Sequence, residues 1–267
     1  MGHVLVRRLR KEFASRGGGP DNGHTDDEER SVGGNLVVLQ DIDLEFEDGE
    51  LVCILGPSGC GKSTLVRILA GFDTHTSGDL VIDGKDVLGP SSDNIFVFQH
   101  NGLLPWMTVW ENVCLGLRRL KDYSDIADKA QEYIDVVNLT GFEDHYPHEL
   151  SGGMQRRAEI ARALVVNPEI MFMDEPFAGL DFLTRLKMRE EIINMHEFIQ
   201  KTIIFITHDI EEALIMADRV VVFTDRPATV KMDVKLNYPH PRDFHRDYDL
   251  ETLRRQIYTD LGVHYAL

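Results

Sequence analysis

A glycine-rich run ends in a lysine and a hydroxyl residue near the end of the first quarter of the chain. The run Gly-Pro-Ser-Gly-Cys-Gly-Lys-Ser fits the pattern G-x-x-x-x-G-K-[ST], in which a curled backbone directs several N–H groups at phosphate oxygens. An apolar run precedes it and a helical pattern follows, so a helix N-terminus adds a favourable dipole. Lys62 can neutralise phosphate charge and Ser63 can ligate Mg²⁺. We predict a nucleoside-triphosphate site formed by Gly56, Pro57, Ser58, Gly59, Cys60, Gly61, Lys62, Ser63 and Thr64.

Two adjacent carboxylates follow the apolar run 170–173. A buried strand would deliver Asp174 and Glu175 to its carboxyl end, the edge at which open parallel sheets bind ligands. Asp174 is predicted to hold Mg²⁺ through a water molecule, and Glu175 to orient and deprotonate the attacking water. Alone, such a pair is more often two surface acids that cap a strand, but its combination with the glycine-rich run favours catalysis.

Buried strands alternating with helices must position these groups. Short apolar runs predict strands, and apolar residues at three- and four-residue spacings predict helices. The predicted strands are 4–13, 36–47, 51–55, 80–82, 95–98, 170–173, 202–207 and 220–223, and the predicted helices are 62–70, 154–166, 184–200 and 210–217, with helical patterning between 101 and 149. This alternation indicates a parallel α/β sheet. The polar stretch 14–34 is interpreted as a flexible insertion.

Composition narrows the class of protein. The chain has 267 residues and a net charge of -17, which argues against a nucleic-acid partner. No apolar run approaches the ~18 residues of a membrane span, and residues 1–11 lack the apolar stretch of a signal peptide, so we expect the protein to stay where it is made. Cys53, Cys60 and Cys114 show no paired spacing, which suggests a reducing compartment. Cys60, near a helix N-terminus, could be an oxidisable thiol, but a small residue that fits the loop is the favoured interpretation.

A third motif lies between the other two. Leu-Ser-Gly-Gly-Met-Gln spans 150–155, and its order and spacing relative to the glycine-rich run and the Asp174-Glu175 pair resemble those of ABC-type ATPases. The resemblance implies an α/β fold: a P-loop NTPase (RecA-like) parallel-sheet core with an antiparallel β flank and an inserted helical subdomain. It implies a single ABC-type ATPase domain over 1–267, with its core at about 1–98 and 157–223, the helical subdomain at about 99–156 and a tail at about 224–267, which packs on the core or stays partly mobile.

The same resemblance implies further roles. Gln99 is similar to the glutamine that senses Mg²⁺ and the attacking water, and His208 to the histidine that contacts the γ-phosphate. The loop 177–181 resembles the one that communicates across a dimer. Two copies would enclose two ATP molecules. The signature residues Ser151, Gly152 and Gly153 of one copy would complete the phosphate site of the other. Phe13 is the candidate for stacking on adenine, or it belongs to the core.

Two further segments resemble importer subunits for nitrate, sulfonate, taurine and related small anions or thiamine-type precursors. They are Leu-Leu-Pro-Trp at 103–106 and the tail element 236–242. This implies ATP with Mg²⁺, a homodimer on the cytoplasmic face of the inner membrane, transmembrane permease subunits and, through them, a solute-binding protein. The apolar residues at 104–106 and Trp110 would receive a short helix of the membrane subunit or pack the subdomain's own core. The alternative is a non-transport ABC-type ATPase in repair, translation or cofactor assembly, which would favour coiled-coil insertions, tandem cassettes or basic faces.

Overall fold

A computed structural model describes residues 2–14, 34–98, 102–117, 123–244 and 246–262. Two sheets, seven α-helices and two short 3-10 helices, Leu115–Leu117 and Pro147–Glu149, make up the regular structure of these residues. The strands are β1 (Val4–Ala14), β2 (Asn35–Phe46), β3 (Leu51–Leu55), β4 (Ser77–Ile82), β5 (Lys85–Asp86), β6 (Asn94–Val97), β7 (Ile170–Asp174), β8 (Thr202–Ile206), β9 (Arg219–Phe223) and β10 (Val230–Lys235). The helices are α1 (Lys62–Leu69), α2 (Val109–Cys114), α3 (Tyr123–Val136), α4 (Gly152–Leu164), α5 (Phe182–Ile199), α6 (Ile210–Met216) and α7 (Tyr248–Asp260).

The larger sheet has the strand order β10-β9-β3-β8-β7-β6. Its five strands from β9 to β6 run parallel, and β10 closes one edge antiparallel to β9. Every residue of β3, β8 and β9 is buried, which explains why these strands are continuous apolar runs rather than alternating ones. The predicted parallel α/β core is confirmed, and the carboxyl ends of β3, β8 and β7 lie side by side.

The smaller sheet is antiparallel, with the order β2-β1-β4-β5. It packs through Phe46, Val4 and Leu9, each fully buried, in one cluster with residues of α1. Ala14 pairs with Asn35 at the ends of β1 and β2, so the predicted insertion 14–34 begins inside β1 and joins two neighbouring strand ends. Its residues 15–33 lie outside the described residues.

Three helices follow β6 and pack on one another. α2 begins with a capping box, in which Thr108 accepts from the N–H of Glu111 and the Glu111 carboxylate accepts from the N–H of Thr108. α4 begins at Gly152, two residues before the expected start, and runs without interruption to Leu164, so the expected subdomain boundary at 156/157 falls inside a helix. No helix in the described ranges combines the length and apolar character needed to cross a bilayer.

The tail packs on the core over its described part. β10 adds to the large sheet, and α7 buries Leu250 and Ile257 completely in the main core cluster. Arg242 donates to the carbonyl oxygens of Leu214 (2.8 Å) and Ala217 (2.6 Å), which lie at the end of α6. The element 236–242 therefore fixes the tail by satisfying helix-end carbonyls.

Candidate active site

Three neighbouring parallel strands deliver the predicted site residues to one edge of the large sheet. β3 runs into the glycine-rich loop, β7 ends at Asp174, and β8 leads to His208. The register pairs Asp174 with Ile206, the last residue of β8. The sheet therefore brings together groups that are more than a hundred residues apart in the chain.

The loop between β3 and α1 is curled and closely packed. Gly61 has φ 125°, and a Cβ there would lie 2.7 Å from Cγ1 of Val38, so only glycine fits this position. Lys62 is buried, and its Nζ donates to the carbonyl oxygens of Gly56 (2.8 Å) and Pro57 (2.9 Å). Because an ammonium group has three donors, one stays available to a phosphate oxygen.

Ser63 and Asp174 face each other across the sheet edge. The Ser63 hydroxyl donates to Oδ1 of Asp174 at 3.2 Å. Burial raises the pKa of Asp174, and the nearby Glu175 carboxylate raises it further, while the Ser63 hydrogen bond and the Lys62 charge act in the opposite direction. A half-buried carboxylate beside a hydroxyl is a set of hard oxygen donors, which suits Mg²⁺.

Glu175 has an unusual backbone. Its φ of 45° is in the left-handed region, which costs energy for a non-glycine residue, and such strain clusters at functional sites. Two hydrogen bonds hold it there: the Glu175 N–H donates to the Ile206 carbonyl (3.0 Å), and its own carbonyl accepts from the Ala178 N–H (3.1 Å). Oε1 of Glu175 lies 3.3 Å from Nδ1 of His208, so the predicted base and the predicted γ-phosphate contact are neighbours.

A buried network positions the segment around His208. The Thr207 hydroxyl donates to Oε2 of Glu212 at 2.6 Å, and Arg189 of α5 donates to Glu212 (2.8 Å) and Asp209 (3.1 Å). The sequence analysis missed Arg189, because nothing in the local pattern relates Arg189 to Asp209, 20 positions further along the chain.

The remaining predicted residues lie on other elements or outside the described part of the chain. Ser151 caps α4 by accepting from the Met154 N–H at 3.3 Å. Ser151 and Gly152 are exposed, whereas Gly153 packs against α5. Phe13 is half-exposed at the end of β1, with the ammonium of Lys11 4.8 Å from its ring centroid. Gln99 lies outside the described residues.

Cys60 is buried in the loop. Burial raises the pKa of its thiol despite the opposing effect of Lys62. This agrees with a small residue that fills the loop rather than with a low-pKa, oxidisable one.

A glycine-rich loop, a buried lysine, a hydroxyl facing an aspartate and a neighbouring glutamate at one end of a parallel sheet define a P-loop nucleoside-triphosphatase. The family model of the ABC transporter matches residues 39–178. The chain belongs to the ABC transporter family and is an ATP-hydrolysing cassette of it.

Named relatives agree with this assignment. The chain is 47% identical over 208 residues to the nitrate import ATP-binding protein NrtD of Synechocystis sp., covering 77% of this chain and 78% of the relative. It is 39% identical over 224 residues to the aliphatic sulfonates import ATP-binding protein SsuB of Bacillus cereus, covering 84% and 88%. The solved dimeric structure of MJ0796, a bacterial ABC transporter cassette, matches with a TM-score of 0.70 and 30% identity, covering 88% of this chain and all of that one.

Proposed function

We propose that this chain energises an ABC importer for a small anionic solute such as nitrate, a sulfonate or taurine. Relatives named for nitrate import and for aliphatic sulfonate import support the direction and the solute class. The observation that carries the hydrolytic part is the convergence of Lys62, Ser63, Asp174, Glu175 and His208 on one sheet edge.

The chemistry assigned to each residue follows from its position. Lys62 and the loop N–H groups bind the phosphates of ATP and neutralise their charge. Glu175 orients a water molecule and accepts its proton as the water oxygen attacks the γ-phosphorus; the bond to the bridging oxygen then breaks, giving ADP and phosphate. His208, next to Glu175, contacts the γ-phosphate.

Mg²⁺ suits the oxygen donors of this site. Ser63 and Asp174 would hold it, together with Gln99, and the ion neutralises charge on the β- and γ-phosphates when bound. The hydrogen bond from Ser63 to Asp174 keeps these two oxygen donors next to each other.

Two copies of the chain are proposed to enclose two ATP molecules head to tail. Ser151 and Gly152 lie exposed at the N-terminus of α4, where backbone N–H groups and the helix dipole can receive a γ-phosphate from another copy. A dimeric structure of a similar cassette, and another described as a post-hydrolysis state bound to ADP and Pi, support this arrangement. Phe13 is proposed to stack on the adenine.

Trp106 is proposed to contact the permease. Its side chain is 69% exposed, whereas Leu103 is buried and Trp110 packs on the core, so this segment divides between the subdomain's interior and its surface. An exposed tryptophan is a strong anchor at an interface. The protein would act on the cytoplasmic face of the inner membrane, coupled through the permease to a solute-binding protein.

Enzymology with two variants tests the catalytic assignments. Lys62→Ala should lose ATP affinity and turnover, and Glu175→Gln should lose about 10²-fold or more in turnover while still binding ATP and eluting as an ATP-dependent dimer. Hydrolysis by Glu175→Gln at the wild-type rate would show that the base is wrongly assigned. Unchanged affinity and turnover in Lys62→Ala would refute the nucleotide site itself.

Capture from membranes tests the partner. Tagged protein should co-purify with a permease from detergent-solubilised membranes, and Trp106→Ala should weaken this capture. Phe198→Ala is the matched control, since Phe198 is 72% exposed on the last turn of α5. Equal capture by both variants would refute the role of Trp106, and capture of repair or translation proteins instead of a permease would favour the non-transport alternative.

A further inference from the structure

A charged pair is buried in α4, one turn beyond the exposed N-terminus of that helix. Nη1 of Arg156 lies 2.6 Å from Oε2 of Glu159, and the two side chains are only 4% and 3% exposed. The desolvation of two buried charges offsets most of their attraction, so such a pair is weak evidence for stability alone. The other bonds made by the pair indicate a second role.

Arg156 binds the backbone just beyond β7 and β6, two neighbouring strands of the large sheet. Its Nε donates to the carbonyl oxygen of Pro176 at 2.9 Å, and its Nη1 donates to that of Phe98 at 2.7 Å. Pro176 directly follows Glu175 in the chain, and Phe98 directly follows β6. The planar guanidinium of Arg156 therefore links α4 to Pro176, the residue that follows the proposed base Glu175.

Glu159 extends the same contact. Its Oε1 accepts from the N–H of Gly102 at 2.8 Å, and Arg162, one turn further along α4, donates to the Gly102 carbonyl, also at 2.8 Å. A Cβ on Gly102 would lie 2.7 Å from Oε1 of Glu159, so a larger residue at position 102 would have to displace that carboxylate. The helix thus grips the backbone at Phe98 and Gly102 as well as at Pro176.

We propose that Arg156 and Glu159 are positioning residues for ATP hydrolysis. They hold the Pro176 peptide, and through it Glu175, at a fixed place relative to the helix that begins after Ser151. A phosphate contact at the N-terminus of α4 and the placement of the base are then parts of one rigid unit. The inference deepens the proposed function and depends on it.

The test must separate positioning from folding. Arg156→Met/Glu159→Leu removes both charges together, which avoids a lone buried charge, and eliminates the bonds to Phe98, Gly102 and Pro176. Arg156→Lys keeps the charge but not the fork that reaches two carbonyls and a carboxylate at once. Arg157→Lys is the matched control, because Arg157 of the same helix bonds instead to Glu191 and to the carbonyls of Val137 and Asn138.

Steady-state turnover, equilibrium binding of MgATP and amide hydrogen exchange are measured on the full chain. Both Arg156 variants should lose about tenfold or more in kcat while MgATP affinity stays within about threefold, since misplacing a reacting group lowers the rate more than the binding. The N–H of Ala178, which bonds to Glu175, should exchange about tenfold faster than in the wild type. Arg157→Lys should match the wild type in kcat and in this exchange.

Three results would overturn the proposal: an unchanged kcat in the double variant, an unchanged Ala178 exchange rate, or an equal loss of kcat in Arg157→Lys. A wild-type protein with no more turnover than Lys62→Ala would refute the proposed function instead. In that case the exchange rates still decide whether Arg156 holds the Pro176 peptide.

Discussion

Replacing Gly153 by alanine tests the packing of α4 against α5. A Cβ at this position would lie 2.4 Å from Cγ2 of Thr184, well inside the ~3.5–4.0 Å at which two carbons attract. The Thr184 side chain cannot rotate away freely, because a β-branched residue in a helix has few allowed χ1 rotamers and the Thr184 N–H donates to the Asp181 carboxylate at 3.1 Å. The methyl must therefore displace either the helix or this cap.

The expected change in the free energy of unfolding follows from two opposing effects. Overpacking of a closed contact costs about 1–3 kcal/mol. Exchanging glycine for alanine in a helix returns up to about 1 kcal/mol, and less in the first turn, where Gly153 lies. Gly153→Ala should therefore lower the free energy of unfolding by about 1–2 kcal/mol.

Urea unfolding of four proteins measures this effect: wild type, Gly153→Ala, Thr184→Ser and the double variant. Thr184→Ser removes Cγ2 but keeps the hydroxyl and the N–H that donates to Asp181, so the double variant should recover most of the loss, with a coupling energy of about 1 kcal/mol. A Gly153→Ala protein as stable as the wild type, or a double variant that recovers nothing, would refute the contact.

The neighbouring glycine supplies the control. A Cβ on Gly152 would meet only Cδ2 of Leu180, at an ordinary 3.7 Å, so Gly152→Ala should change the stability by less than about 0.5 kcal/mol. Because Gly152 is exposed at the proposed contact with a second copy, the same change should weaken the ATP-dependent dimer of Glu175→Gln. An equally stable ATP-dependent dimer of Glu175→Gln with and without Gly152→Ala would show that Gly152 is not needed at the contact between copies.

Three further predictions concern the site and the tail. Burial raises the pKa of Asp174 above its unfolded value, so the folded state loses stability as the pH rises from the unfolded pKa to the folded one. Asp174→Asn should therefore raise the melting temperature at pH 7 but abolish hydrolysis. Calorimetry should show that the gain in melting temperature vanishes below pH 3.8. Mild peroxide should leave the ATPase rate unchanged, because burial raises the pKa of Cys60. Leu250→Ala should cost about 2–5 kcal/mol in urea unfolding, because its side chain is fully buried.

The elements around the phosphate site were predictable because their signals are local. β3, β7 and β8 are short apolar runs, and the residues at their ends belong to motifs whose spacing is fixed by a loop or a strand end. The contact between Ser63 and Asp174 spans 111 positions, yet it follows from the rule that parallel strands end at one edge. For that reason a distant pair could be expected to meet.

Other elements were missed for physical reasons. α5 begins at Phe182, not Thr184, because Asp181 caps it; Phe182 and Leu183 are apolar but exposed, which hides the helical periodicity. β10 and α7 were not predicted within the tail. β10 alternates half-buried and exposed residues, and it is a strand because β9 offers a free edge. Such elements depend on their partners more than on their own composition.

The sequence also did not predict the hydrogen bonds that link α4 and α5 to the segments after β7 and β8. These bonds have a common arrangement. α4 carries Arg156 and α5 carries Arg189, each buried and each bonded to the segment after a strand of the site. Both helices begin at exposed side-chain caps, Ser151 and Asp181. At 1.5 Å per residue, each cap lies only about 7–12 Å along its helix from the arginine, so each helix connects the two points through one to two hydrogen-bonded turns. Displacing either cap without moving Glu175 or His208 would require breaking buried charge-assisted hydrogen bonds. We therefore expect α4, α5 and the loops that carry Glu175 and His208 to move together.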